Sequence, residues 1–471
     1  MSVLILVLSL GLLMTVAYRG FSVVVGAPVC ALLAVLLALG PAAVLPIFSG
    51  LFMKAMVGFI ALYLPVFLLG ALFGKMMELT GAAASISAKI VSVLGEKHTI
   101  GAVVLACAIL TYGGVSLFVV AFAVYPFAKA LFKRSSLPEK LIPGTIALGS
   151  FTFTMDALPG TPQIQNVIPT TFFGTDLYAA PILGICGATF VLTSGMLYLE
   201  RRKRTLGPMD WSKKEEDAGE EAPTEPEELV EGAELPSPYL SILPLLTVAF
   251  VNFTASRYIS DISQRDIALA DFGIESDVVV SLDKMGGLFA IEVALVLGLI
   301  VSSLFGYSRL KSKLQQGMNT AVAGAMLAAL NTGSEYGFGA VIASLPGFMI
   351  VKEKLVGLFS NPLVNEAVSV NLLAGITGSA SGGMSIALAA MAENFKEAAT
   401  AANIDFEVLH RVASMASGGM DTLPHNGAVI TLLMITGMTH KQSYGDIFAI
   451  TCIKTMAVFV IIGIYSATGL V

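Results

Sequence analysis

The sequence predicts an all-α polytopic membrane protein made of two inverted repeats, each with about five spans, a re-entrant hairpin and a broken helix. Three observations predict it. Of the 471 residues, 56% are hydrophobic and only 13% charged, a balance too apolar for a water-soluble fold. The charges gather in patches and leave apolar runs of about 20 residues, the length that crosses a ~30 Å hydrocarbon core. Finally, Met155-Asp156-Ala157-Leu158-Pro159 recurs 265 positions later as Met420-Asp421-Thr422-Leu423-Pro424. Each copy puts a carboxylate and a helix breaker inside a long apolar segment.

In chain order, the first spans cover residues 2–18 and 21–40, with Arg19 between them. In the apolar stretch 44–79, Lys54 snorkels at the outer end and leaves 57–79 as the span. Residues 81–95 are small, amphipathic and flanked by charge, which suits a helix in the membrane interface. Residues 100–132 place a polar, Gly-rich centre at 111–116 between two apolar arms. That segment reads either as a re-entrant hairpin, since both flanks are basic and so share a side, or as one tilted span. The first broken segment is 141–175, and a span at 177–199 ends the first repeat, residues 1–204, in Arg201-Arg202-Lys203-Arg204.

Residues 205–238 carry eleven acids and two lysines with little apolar content, the composition of a disordered cytoplasmic connector. The second repeat, 239–471, follows the same plan. Its spans fall near 239–256, 286–306 and 320–348, with an interfacial piece at 351–360. A hairpin at 364–395 has its tip at 377–385, the broken segment is 406–438, and 443–470 closes the chain. Gly113-Gly114-Val115-Ser116 aligns with Gly382-Gly383-Met384-Ser385, and Lys89-Ile90-Val91 with Lys354-Leu355-Val356. Most lysines and arginines fall on one side if the linker is cytoplasmic and both termini are outside. An odd number of spans per half then inverts the second repeat.

Several function classes are disfavoured. No basic field points to nucleic acid. Cys30, Cys107, Cys186 and Cys452 are single and read as buried structural thiols without metal spacing. No cofactor or metal is expected. The first segment lacks a basic n-region and a cleavage site, and so reads as a retained helix. HExxH, GxSxG and His/Cys clusters are missing from the sequence, which argues against an enzyme.

The chemistry gathers at the breaks. Interrupted backbone at membrane depth is tolerated only where it lines a cavity or packs in protein. Pro159, Pro162 and Pro424 each remove a donor. Around them lie Thr152, Thr154, Asp156, Thr161, Gln163, Gln165 and Asn166 in the first half. The second half offers Ser417, Asp421, Thr422, His425, Asn426 and Thr431. Half-helix N-termini would turn partial positive charge toward an anionic substrate. The hairpin tips would complete the cage through Tyr112, Gly113, Gly114 and Ser116, and through Ser379, Ser381, Gly382, Gly383 and Ser385.

The candidate substrate-binding set is therefore the two tips with Thr152, Thr154, Thr161, Gln163, Thr422, His425 and Asn426. Asp156 and Asp421 bind a coupling cation, take up a proton, or cap a half-helix. Glu335, deep in a span, and His425, within one turn of Asp421, are further coupling candidates. His98, His410 and His440 fall near span ends and read as interfacial. The rival reading is that the prolines are kinks and the polar groups only staple helices together. With no arginine or lysine in the set, a singly charged small organic anion is the expected partner, alongside the lipid bilayer.

These residues resemble the gluconate permease family of the ion transporter superfamily over most of the chain except the acidic linker. The resemblance is carried by Gly70-Ala-Leu-Phe-Gly-Lys with Thr80-Gly-Ala-Ala, by Glu96-Lys-His, by Tyr112-Gly-Gly-Val-Ser and by Pro424-His-Asn-Gly-Ala. It implies an inner-membrane carrier with scaffold and transport subdomains, two re-entrant hairpins, a homodimer, elevator-type movement and proton symport. In gluconate carriers the first broken segment is rich in Pro and His. Here it reads Asp156-Ala-Leu-Pro-Gly-Thr-Pro, without histidine. The Tyr-Gly-Gly-Val-Ser and Leu-Pro-His-Asn-Gly forms look more like permeases for short hydroxy acids such as D-3-hydroxybutyrate. The alternatives are a sodium-coupled carboxylate symporter of the citrate type and an anion channel. Inverted repeats with midplane breaks favour alternating access over a channel.

Overall fold

The computed structural model describes residues 2–19, 21–94, 98–115, 117–211, 235–262, 266–275, 277, 279–310, 314–348, 350, 359, 361–377, 379–424 and 426–471. Among them nearly everything is helical. Five helices are long and apolar enough to cross a membrane by length and composition: Pro41–Leu79, Pro181–Leu206, Pro238–Ile259, Met285–Gly306 and His440–Thr468.

One group of helices begins with α1 (Ser2–Tyr18) and α2 (Val23–Leu39), which pack together. Helix α3 then runs from Pro41 to Leu79, well beyond the expected 57–79. A π-helical turn at Phe48–Phe52 and an internal Pro65 interrupt its ladder without ending it. Lys54 lies exposed within it. Helix α4 (Ala82–Leu94) follows, with Ala82, Ala83 and Ile86 buried on one face and the Ser85 hydroxyl donating to the Pro236 carbonyl at 2.5 Å.

The next part of the chain belongs to a second group. Helices α5 (Thr99–Tyr112) and α6 (Leu117–Arg134) form a helix-turn-helix over the segment 100–132. The turn between them closes through Gly114 N–H to the Thr111 carbonyl and Val115 N–H to the Leu110 carbonyl, with Gly114 at φ +93°. That left-handed conformation favours glycine. Helices α7 (Ile142–Ser150) and α8 (Phe153–Asp156) lead into the first break, residues 157–163. Helix α9 (Ile164–Phe173) stops at a left-handed Gly174, and α10 (Pro181–Leu206) closes the half.

The first group resumes with α11 (Leu243–Ile262) and α12 (Leu282–Leu310), which pack together. A two-stranded antiparallel ribbon joins them: β1 (Asp266–Ala268) pairs with β2 (Val279–Ser281), placing Ile267 opposite Val280. Helix α13 (Leu314–Ser344) lies against α2 and α3. Small residues permit the approach, since a Cβ on Gly337 would stand 2.9 Å from the Phe52 carbonyl oxygen.

The remaining helices repeat the order of α5–α10. They are the pair α14 (Pro362–Thr377) and α15 (Ala380–Ala401), then α16 (Phe406–Ser417), a break at 418–426, the half-helix α17 (Gly427–Ile435) and the long α18 (His440–Thr468). One detail of the expected correspondence fails. Gly113 and Gly114 sit in the turn between two helices, whereas Gly382 and Gly383 lie inside the first turn of α15. Two glycines are needed there for close packing: a Cβ on Gly383 would collide with the Ala374 backbone of the facing arm.

The expected disordered linker is docked at its ends. Met209 N–H donates to the Ser136 carbonyl at 2.9 Å, and the buried Trp211 donates through Nε1 to the Leu137 carbonyl at 3.0 Å. Residues 212–234, all but Phe359 of the interfacial piece at 351–360, and the Lys354-Leu355-Val356 match lie outside the described residues. Cys30 and Cys107 are buried as expected, whereas Cys186 and Cys452 are half-buried.

Candidate functional site

The first break frees four carbonyls, and each receives a side chain. Arg411 Nη1 (3.3 Å) and the Ser414 hydroxyl (2.8 Å) both donate to the Asp156 carbonyl. The Tyr112 hydroxyl donates to the Pro159 carbonyl at 2.9 Å, Asn252 Nδ2 to Gly160 at 3.2 Å, and Asn166 Nδ2 to Thr161 at 3.0 Å. This is how a helix interrupted by Pro159 and Pro162 survives away from water. Gln163 ties the break to the first hairpin by donating to the Thr111 (2.8 Å) and Val115 (3.3 Å) carbonyls.

The threonines expected to hold substrate turn to their own chain. Thr152 donates to the Leu148 carbonyl, Thr154 to Gly149 and Thr161 to Thr154, all within 2.6–2.7 Å. All three are buried. Their hydroxyls already satisfy local backbone, which fits a stapling role.

Arg411 is the central group that the sequence reading passed over. It is 0% exposed. Besides Asp156 it donates to the Ala179 carbonyl through Nε (3.1 Å) and Nη2 (2.7 Å), and to Asn166 Oδ1 at 3.0 Å. His410 beside it is buried, not interfacial. Asn166 uses its amide nitrogen as a double donor, so its Oδ1 accepts from His410 Nε2 (3.1 Å), and His410 Nδ1 then accepts from the Thr175 hydroxyl (2.6 Å). The signal was available in α16: Leu409-His410-Arg411 interrupts an apolar segment just before the second break, and an intramembrane cation is a functional candidate.

The second break is held differently. Asp421 forms a buried ion pair with Lys454 of α18, whose Nζ also donates to the Phe151 carbonyl at 3.1 Å. The Thr422 hydroxyl meets that of Thr451 at 2.6 Å, and Tyr444 donates to the Thr422 carbonyl at 3.2 Å. Asn426 caps α17, its Oδ1 accepting from Ala428 N–H (2.6 Å) and Val429 N–H (3.1 Å). The cap is therefore Asn426 and neither aspartate: Asp156 ends a helix and Asp421 pairs with a lysine. His440, exposed, donates to the Pro424 carbonyl at 2.9 Å. His425 and Ser116 lie outside the described residues.

The two breaks meet. A Cβ on Gly418 would collide with Asp156 Oδ2, so the carboxylate of the first copy rests on the entry to the second. Asp156 is 3% exposed, and Oδ2 has no hydrogen-bond partner among the described residues. The second hairpin adjoins its own break: Asn371 Oδ1 packs on Gly419, and Gly375 lies against Met420 and Leu423. The meeting point thus contains two buried cations, Arg411 and Lys454, and two buried carboxylates, Asp156 and Asp421. The expectation of a site without arginine or lysine is corrected by this, because both reach in from helices outside the motif.

The hairpin starts contact the first helix group. Gly113 meets Leu245 of α11, while Gly114 lies 3.2 Å from Pro162 and 3.6 Å from Leu295 of α12 when a Cβ is built on it. At the other hairpin, the Thr332 and Ser381 hydroxyls stand 3.5 Å apart, and Glu335 of α13 reaches Gly382. Ser379 caps α15 by accepting from Gly382 N–H at 3.0 Å. Ser385 is buried, and its hydroxyl has no partner among the described residues. Glu366 in α14 was missed entirely by the sequence reading; it is 0% exposed and neither carboxylate oxygen has a partner among the described residues.

Residues 1–392 match the family described as GntP family permease. The "Uncharacterized transporter YxjC" of Bacillus subtilis (strain 168) is 54% identical over 473 residues, covering 100% of both chains. An "Uncharacterized permease" of Haemophilus influenzae is 28% identical over 211 residues, covering 42% of this chain and 40% of that protein. Among solved structures, the Alcanivorax borkumensis YdaH transporter superposes with a TM-score of 0.53 at 14% identity, covering 88% of each chain. That likeness concerns the fold alone.

Proposed function

The chain belongs to the GntP family of permeases, and we propose that it is a secondary active carrier that imports a small hydroxylated organic anion together with a proton. The family makes it a membrane transporter and not an enzyme. The observation that carries the finer reading is the charge balance where the two breaks meet. Arg411 and Lys454 offset Asp156 and Asp421 within a buried centre. A further uncompensated charge there is costly. A monocarboxylate that arrives with one proton adds none.

In this reading residues 1–204 and 239–471 form two inverted repeats whose breaks face each other at the bilayer midplane. Helices α5–α10 and α14–α18 move as an elevator against α1–α3 and α11–α13. The hydroxyls of Ser379, Ser381 and Ser385, with the tip around Gly113 and Gly114, receive a substrate such as gluconate or 3-hydroxybutyrate. The carrier is a homodimer in a bacterial inner membrane, with both termini outside and the acidic linker in the cytoplasm.

The test uses the purified full chain in proteoliposomes, with labelled D-gluconate, D-3-hydroxybutyrate, D-lactate and citrate offered under separate proton and sodium gradients. Accumulation of a hydroxy monocarboxylate under the proton gradient, with trans-stimulated counterflow in preloaded vesicles, is the expected result. Accumulation only under the sodium gradient, or flux without trans-stimulation, would contradict it in favour of a sodium symporter or a channel.

A further inference from the structure

Glu335 sits apart from the charge-balanced centre. It is carried by α13 of the first helix group, is 3% exposed, and points at the start of α15 in the second. A Cβ on Gly382 would collide with its Oε2 and stand 3.0 Å from the Ser379 hydroxyl. The Ser379 side chain hydrogen-bonds to the carboxylate, and Oε2 has no partner among the described residues. One turn further along the same face of α15, the buried Ser385 hydroxyl also lacks a partner. A carboxylate is thus seated on the first turn of a 22-residue helix, where an anion is favoured. A hydroxyl without a partner among the described residues follows one turn further along the helix.

The surroundings supply no counter-charge. From α15 the facing groups are Ser379, Ser381 and Gly382, with the Thr332–Ser381 hydroxyl contact adjacent. On the α3 side, Ser334 turns to the Met56 sulfur at 3.7 Å, and Tyr336 packs against Phe59 at 5.4 Å between ring centres. The other titratable groups of α3 are Lys54, Tyr63, Lys75 and Glu78, and Tyr63 is occupied by Thr171 at 2.5 Å. Cys30 is the titratable group of α2. No charged side chain among the described residues acts on Glu335.

We propose that Glu335 occupies, as a tethered carboxylate, the place at the start of α15 that receives the substrate carboxylate, and that an entering anion displaces it in exchange for one proton. This rests on the organic-anion reading above and gives it a coupling step. The substrate carboxylate takes over the first turn of α15, its hydroxyl meets Ser385, and the proton goes to a carboxylate oxygen of the released Glu335. No covalent bond other than that O–H forms, and the charge on α15's first turn stays the same. The contact between the two helix groups opens when an anion and a proton are both bound.

Binding of tritiated D-3-hydroxybutyrate and D-gluconate to the purified full chain in nanodiscs, from pH 6.5 to 9.0, tests this. The wild-type protein is expected to lose affinity as pH rises, by about tenfold per pH unit at its steepest, because one proton is taken up with each anion. Glu335→Gln, which keeps the shape, is expected to abolish that slope. Glu335→Asp retreats by one methylene and is expected to keep the slope while binding several-fold tighter at pH 9.0. A wild-type slope in Glu335→Gln, or a wild-type protein whose affinity ignores pH, overturns the proposal while leaving the carrier reading intact. Failure of the wild-type protein to bind either acid at any pH overturns the organic-anion reading itself.

Discussion

The two copies of Met-Asp-x-Leu-Pro have nearly one sequence and two different environments. At the first break, the backbone is the anchored part: four freed carbonyls are taken by Arg411, Ser414, Tyr112, Asn252 and Asn166. The Asp156 side chain sets Oδ2, which has no hydrogen-bond partner among the described residues, against Gly418. At the second break the side chain is anchored, with Asp421 paired to Lys454, while Asn426 rather than the motif caps the half-helix that follows. The difference teaches that a repeated motif fixes where the helix breaks, and that residues outside the motif decide what its carboxylate does. By this comparison the first copy is a rigid strut with a reactive tip, and the second a charge clasp.

The largest effect should come from removing the strut. Arg411→Met leaves the Ala179 carbonyl without its side-chain donor, takes one of two donors from the Asp156 carbonyl and from Asn166 Oδ1, and removes a buried charge that offsets the two aspartates, at a cost of about 3–5 kcal/mol. Thermal unfolding in detergent should show little folded protein, and a wild-type melting curve would show that the first break holds itself. Next comes the clasp. Asp421→Asn strands Lys454 in the interior and should cost about 3 kcal/mol along with gradient-driven uptake. Adding Lys454→Met should recover most of the stability without recovering uptake, a non-additivity that a double-mutant cycle measures directly.

Smaller effects sharpen the contrast. Asn426→Ala removes the α17 cap, and Tyr112→Phe removes the bond from the first hairpin to the Pro159 carbonyl. Each should lower stability by about 1 kcal/mol. Asp156→Asn should cost about 1 kcal/mol, less than Asp421→Asn: it removes one of the two negative charges that offset Arg411 and Lys454, but Asp156 Oδ2 has no hydrogen-bond partner among the described residues to lose. Uptake should nevertheless fall severely in that variant. Equal destabilisation by Asp156→Asn and Asp421→Asn would erase the distinction between strut and clasp.

Much of the fold was legible because lipid-length apolar runs and helix breakers leave a local signature. The all-α class, the two helix-turn-helix segments and both breaks lie where hydropathy and proline put them. The extent of α3 was not legible, because Lys54 is a local stop signal that packing against α13 overrides. Nor was the register of the second hairpin: the Gly-Gly pair looks like a turn in sequence, yet Gly382 and Gly383 serve close helix packing instead. At the site, motif reading pointed to Asp156 and Asp421 and missed the cations that reach them. Arg411 and Lys454 lie on α16 and α18, and pairing across helices is a tertiary fact that spacing along one helix does not encode. The same applies to His410, which hydropathy placed near a span end and which in fact bonds to Asn166 across the first break.

The central claim is that a charge-balanced core passes a monoanion only with a matching cation. Its most direct test is uptake of labelled D-3-hydroxybutyrate and D-gluconate by proteoliposomes under an inward proton gradient, with the membrane potential set independently by potassium and valinomycin. The account expects accumulation that follows the proton gradient and is the same at 0 mV and at an imposed potential of about 100 mV, which would otherwise act on a moved charge with about 2.3 kcal/mol. Accumulation that tracks the potential, or that ignores the proton gradient, would contradict it.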